Sequence, residues 1–115
     1  MHELSIAQAL VDLAVAHRPE GSKVRAVKVR AGPLRGIDPE ALRWAWESVR
    51  GDGDCATATL DVNVLPWRMR CGQCGKEWSA EEMEFQCACG SDRVFPVGGD
   101  ELILDSLEVD EPAEL

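Results

Sequence analysis

Residues 57–75 read TATLDVNVLPWRMRCGQCG. In the first part, Ala58, Leu60, Val62 and Val64 alternate with Thr57, Thr59, Asp61 and Asn63. That two-residue period belongs to a strand with one buried and one wet face. Pro66 stops it. From Trp67 to about Pro96 aliphatic residues thin out and all cysteines but one appear. Gly98-Gly99 then lead back to a last strand, about Glu101 to Val109, carrying Leu102, Ile103, Leu104, Leu107 and Val109. Its imperfect alternation calls for a bulge or burial on both faces. The segment 67–96 therefore reads as an insert between two strands of one sheet.

Working back toward the start, Val27, Val29 and Ala31 alternate with Lys28 and Arg30 in a half-buried strand, roughly Lys23 to Ala31. Between the two strands lies a helix with strong start signals: Asp38 as N-cap, Pro39 at the first helical position, and Ile37 stapling onto Leu42. Leu42, Ala45, Trp46 and Val49 share its inner face, and Gly51-Asp52-Gly53-Asp54 ends it. Trp44 falls off that stripe, toward the flank or surface. It marks a self-association patch of a homodimer, or a partner patch; packing at the core edge is the plainer reading. The chain opens on another helix, with Ser5 and Gln8 as a capping box, Ile6, Leu10, Leu13 and Ala14 as its apolar stripe, and His17-Arg18-Pro19 at its end. His17 reads as a solvated or capping residue. The fold class is α+β: two helices on one face of a three-stranded mixed sheet, ordered α-β-α-β-insert-β. Residues 1–66 with 97–115 make the α/β domain, 67–96 the inserted lobe, and the acidic tail 110–115 is expected to fray.

The chain has 115 residues and 45% apolar content, enough for a core without disulfide staples. Its formal charge is -9, concentrated after residue 65, where 12 acidic residues face 4 basic ones. Such a field opposes nucleic acid and anionic membranes and suits cations or basic partners. The acidic second half, including Glu81, Glu82 and Glu84, reads as a docking surface for a basic patch, or simply as a solvated face. No P-loop, dinucleotide fingerprint or nucleophile elbow is present. The start lacks both a basic leader region and an uninterrupted apolar run, so a cytoplasmic location is expected. In that reducing compartment cysteines serve as thiols or metal ligands more often than as disulfides.

Cys71 and Cys74, followed by Gly75, and Cys87 and Cys89, followed by Gly90, have the spacing of two metal-binding turns. Four thiolates make a closed tetrahedral site, and zinc is its default metal; rubredoxin-like iron is the minority reading. Such a site leaves no position for an activated water, which argues against a zinc hydrolase. The second pair is C-x-C, one residue shorter than the first. Cys55 stands apart and reads as a small core residue.

The N-terminus offers a second kind of site. His2 is too large for ordinary methionine removal, so Met1 is expected to stay. The Met1 amine, the His2 amide nitrogen and its ring Nδ1 close adjacent chelate rings, and the Glu3 amide closes another. Nitrogen ligands in one plane suit nickel(II) or copper(II). The plainer alternative is a histidine on a mobile terminus, with Glu3 favoured by the positive end of the helix.

Met1-His2-Glu3-Leu4-Ser5-Ile6, Gly32-Pro33-Leu34-Arg35-Gly36-Ile37, the cysteine pairs with Cys89-Gly90-Ser91, and Gly99-Asp100-Glu101-Leu102 running on to Ser106-Leu107-Glu108-Val109 together resemble the HypA/HybF family. The resemblance covers essentially the whole chain. It implies a non-enzymatic nickel metallochaperone for [NiFe]-hydrogenase maturation, some members of which also serve urease. It implies Ni(II) as cargo at His2 and the adjacent backbone, supported by Glu3, and structural Zn(II) on Cys71, Cys74, Cys87 and Cys89. It also implies a HypB-type GTPase and the hydrogenase large-subunit precursor as partners. The one departure is the second cysteine pair, where the family usually shows C-x-x-C. The rival reading is a zinc-ribbon adaptor that binds proteins but no nickel. A nucleic-acid-binding ribbon would need a basic, aromatic-interleaved face.

Overall fold

A computed structural model describes residues 2–110. Helix α1 (His2–His17) is followed by strand β1 (Lys23–Ala31), a short 3-10 turn (Pro33–Arg35) and helix α2 (Pro39–Val49). Then come β2 (Thr59–Val64), β3 (Trp67–Cys71), β4 (Glu77–Ala80), β5 (Val94–Pro96) and β6 (Leu102–Asp110). The strands form two sheets, β2-β1-β6 and β4-β3-β5. In the first, β1 runs parallel to β2 and antiparallel to β6, the mixed sheet expected from the sequence.

The β6 register slips twice, between Val24 and Ala26 and between Lys28 and Val29 on the facing strand. The second slip explains the broken alternation of the last strand: Asp105 is the extra residue there and switches the side that the following side chains occupy, whereas the first slip puts its extra residue, Arg25, on β1. Leu102, Leu104, Leu107 and Val109 consequently reach the core edge half-buried.

Helix α2 starts as its sequence demands. The Asp38 carboxylate accepts from the amides of Glu40 (3.0 Å) and Ala41 (3.5 Å), with Pro39 occupying the position that needs no donor. Leu42, Ala45 and Trp46 are buried, and Ile37 joins them in the same core. Trp44 stands 76% exposed on the outer flank. The Trp46 indole donates to the Ala58 carbonyl at 2.8 Å, fastening α2 to the entry of β2.

Helix α1 differs from the expectation. It starts at His2, so Ser5 lies inside it and donates its hydroxyl to the His2 carbonyl at 2.9 Å rather than capping. Gln8 turns outward to Asp12. The buried stripe is Ala7, Leu10, Val11 and Ala14, while Leu13 is 42% exposed. Apolar residues occur all around this helix. Close packing against α2, the nearest neighbour of α1, selects the face with two alanines, a choice that periodicity alone does not make.

The insert, which its sequence shows only as a cysteine lobe, carries the second sheet. In it β3 pairs antiparallel with both β4 and β5. The radius of gyration is 18.2 Å and the long axis 66 Å, against about 13 Å for one compact body of this length. Where the chain leaves the first sheet for the second and returns, backbone bonds extend the first sheet. Leu65 N–H donates to Ala31 (2.8 Å), Gly32 N–H to Glu101 (2.7 Å), and Leu34 N–H to Gly99 (2.7 Å). The backbones cross so closely here that a Cβ on Gly32 would lie 2.2 Å from the Gly99 carbonyl oxygen.

Candidate metal centre

Strand β3 delivers Cys71 to the buried side of its sheet, and the chain turns at once. The amides of Gln73 (3.3 Å) and Cys74 (3.4 Å) donate to the Cys71 sulfur. Gly75, at φ +79°, lets the chain fold back so that its amide reaches the Cys71 carbonyl at 3.0 Å. The second turn is built alike: Gly90, at φ +93°, donates to the Cys87 carbonyl at 2.9 Å. The Cys87 amide donates to the Ser91 carbonyl at 2.9 Å, and the buried Ser91 hydroxyl accepts from the Arg93 amide at 3.1 Å.

These turns bring the four sulfurs within 4.8 Å of one another. Cys71 faces Cys89 at 3.7 Å and Cys74 faces Cys87 at 3.7 Å. A tetrahedron with metal–sulfur bonds of about 2.3 Å has edges of about 3.8 Å. The donor set therefore fits a single four-sulfur ion such as zinc. The short second pair does not spoil the fit, because each of its sulfurs meets a sulfur of the other turn.

The thiols divide electrostatically. Cys71 is pulled down to about 6, chiefly by the Cys74 amide and further by that of Gln73, against the opposing effect of burial. At Cys89 the Ser91 amide pulls down, but the Cys87 thiol, burial and the remaining two thiols together push it up to about 11. Four clustered thiols cannot all ionise without a cation; a bound metal supplies that charge. Cys55 is elsewhere, buried in the core, with its thiol pushed up by burial and then by Asp54.

At the other candidate site, His2 and Glu3 open α1. The His2 Nε2 lies 3.2 Å from a Glu3 carboxylate oxygen, which leaves Nδ1 on the backbone side of the ring. The His2 side chain is 55% exposed and that of Glu3 20%. The Glu3 carboxyl sits below the usual carboxylate range, first through its own backbone amide. Amides of a first helical turn have no partner within the helix, so metal ligation there breaks no helical bond. Met1, the third residue expected at this site, lies outside the described residues, as does the tail after Asp110. Beside Glu3 is a cavity of about 390 Å³ lined by Leu4, Ala41, Trp44, Ala45 and Ser48. The sequence signalled it only through an off-stripe tryptophan.

Comparison with known proteins follows the same lines. Residues 1–109 match the family described as "HypA: Hydrogenase/urease nickel incorporation, metallochaperone". The chain is 40% identical over 111 residues to the hydrogenase maturation factor HypA of a Synechococcus species, covering 95% of this chain and 99% of that one. It is 36% identical over 117 residues to the factor of the same name from Chlorobium luteolum, covering 99% and 100%. Among solved structures it is similar to the nickel metallochaperone HypA of Helicobacter pylori, at a TM-score of 0.64 and 26% identity over 97% of this chain and 98% of that one. A second solution structure, titled HypA protein, gives a TM-score of 0.67 at 27% identity over 94% and 95%.

Proposed function

The chain belongs to the HypA family of hydrogenase/urease nickel-incorporation metallochaperones, and we propose that it binds Ni(II) through Met1, His2 and Glu3 and hands it on during [NiFe]-hydrogenase maturation. The same delivery can serve urease. The observation that carries this reading is the His2–Glu3 pair at the start of α1. With Nε2 facing the carboxylate, the ring presents Nδ1 to the His2 amide, the pairing that a chelate from the terminal amine requires. Imidazole orientation by a carboxylate is a recurrent feature of metal sites.

The chemistry suits cargo rather than catalysis. An exposed terminal site exchanges ligands readily. Its amides must lose protons to bind, so nickel affinity falls as pH falls. Cys71, Cys74, Cys87 and Cys89 hold structural Zn(II) in a lobe of residues 67–96, while 1–66 with 97–115 carry the nickel. A closed four-sulfur site has no position for substrate, and the chain works as a carrier, not an enzyme. Its partners are a HypB-type GTPase and the large-subunit precursor, and its place is the cytoplasm, where cysteines outside disulfides stay reduced.

Calorimetric nickel titration of untagged, zinc-loaded protein with its native Met1, beside His2→Ala, tests the reading. Wild type should take up about one nickel per chain and the variant should lose it while keeping zinc. Equal binding by both, or by neither, would refute the N-terminal site and leave a zinc-lobe adaptor.

A further inference from the structure

The zinc-lobe sheet alternates strictly. Trp67, Met69, Cys71, Trp78, Ala80, Val94 and Pro96 point to its half-buried or buried side. The segment after β4 covers that side: its Cys87 and Cys89 meet the other two sulfurs, and its Glu84 accepts from the Trp78 indole at 2.5 Å. The opposite side is bare. Arg68, Arg70, Glu77, Ser79, Arg93 and Phe95 are all exposed there. Arg70 pairs across the ladder with Glu77 on one flank and Phe95 on the other.

This face inverts the charge of its surroundings. The second half of the chain has four basic residues, and three of them stand here. Glu77 leans to Arg68 at 3.5 Å. Among the described residues, Arg70 and Arg93 have no ion pair. Phe95, 46% exposed, is the cross-strand neighbour of Arg70, and its ring lies against Gly72, where an added Cβ would meet it at 3.3 Å. Val97, also exposed, extends the apolar strip toward the junction with the first sheet.

We propose that this face docks an extended acidic segment of a partner protein, with carboxylates on Arg70 and Arg93 and an aliphatic side chain on Phe95. Guanidinium groups present paired donors that match a carboxylate, and an exposed aromatic ring gives apolar area at low entropic cost. Charge complementarity favours a short acidic peptide over nucleic acid. Two unpaired cations neutralise two carboxylates, but a polyanion would extend past them into the field of a chain at -9. This surface differs from Glu81, Glu82 and Glu84, which belong to the covering segment and would choose a basic partner.

The probe is a short peptide alternating Glu with Val, titrated into full-length zinc-loaded protein and followed by amide chemical shifts. The expected shifts fall on β3 and β5, weaken with salt, and vanish when Gln replaces Glu in the peptide. Arg70→Glu and Arg93→Glu should each weaken binding about fivefold, the scale of an exposed charge pair reversed in sign. Zinc content and the shifts of the first sheet report that each variant is folded. Absent shifts, or equal binding by wild type and the variants, would overturn the proposal. So would tighter binding of an oligothymidylate on the same face, which would mean a nucleic-acid site. Shifts of these strands on concentrating the protein alone would also overturn it, the occupant then being a second copy.

Discussion

The Ala58 carbonyl accepts two hydrogen bonds, from the Trp46 indole at 2.8 Å and from the Arg50 guanidinium at 2.8 Å. Ala58 is fully buried, so that oxygen depends on these two donors. In Trp46→Phe, the net loss of one hydrogen bond is about 1 kcal/mol. The void left by the smaller ring, about 40 Å³, adds about 1 kcal/mol. The oxygen keeps Arg50, so the single variant should lose about 2 kcal/mol. Arg50→Ala leaves the indole in place and should lose about 1 kcal/mol. The double variant strands a buried acceptor and should exceed the sum of the singles by about 1 kcal/mol. Equilibrium urea unfolding of zinc-loaded protein, followed by far-ultraviolet circular dichroism, measures all three. Additivity within about 0.4 kcal/mol would refute the shared-acceptor account.

Removing the α2 cap in Asp38→Ala should lower stability by about 1 kcal/mol in the same urea assay. Gly32→Ala should disrupt the crossing of the β1 exit with the chain leading into β6, because its Cβ would meet backbone at 2.2 Å; faster amide exchange at position 32 and at Leu34 is the readout. X-ray absorption at the zinc edge should show four sulfurs at about 2.3 Å, and an oxygen or nitrogen in that shell would contradict the geometry. Zinc retention should weaken as pH falls. The Cys71 thiol, pulled down to about 6, competes for protons mainly below that value, whereas Cys89, up at about 11, must surrender its proton to the metal even at neutral pH. Metal release into a colorimetric chelator should therefore steepen below about pH 6.

The sequence displayed some of this structure because certain residues carry their own instructions. Asp38-Pro39 fixes the start of α2 locally, and the Thr57–Val64 alternation fixes a face of β2 without reference to anything distant. The cysteine pairs announced a metal centre because two tight turns with four thiolates have few other uses. The α1 stripe was less legible: with apolar side chains on several sides, the choice of Ala7 and Val11 over Leu13 is made by its packing partners, α2 above all. The second sheet was hidden for a related reason. Its strands are three to five residues long, too short for a period to stand out, and their inner side carries Met69, two tryptophans and cysteine sulfur rather than a run of aliphatics. The bare face of Arg70, Arg93 and Phe95 depends on that sheet, so net charge could not reveal it.

The contrast between the two candidate metal sites follows from where the backbone places its donors. At Cys71 two amides point at one sulfur and stabilise its charge before any metal is considered. The sulfurs stand at nearly the spacing that an ion requires, so binding needs little reorganisation and release would undo two turns at once. At the start of α1 the donors are first-turn amides and an imidazole more than half exposed. Nothing packed must move for a ligand to leave. The proposed division between a carried metal and a kept one rests on this difference: two glycine-closed turns for retention, and an exposed helix start for exchange.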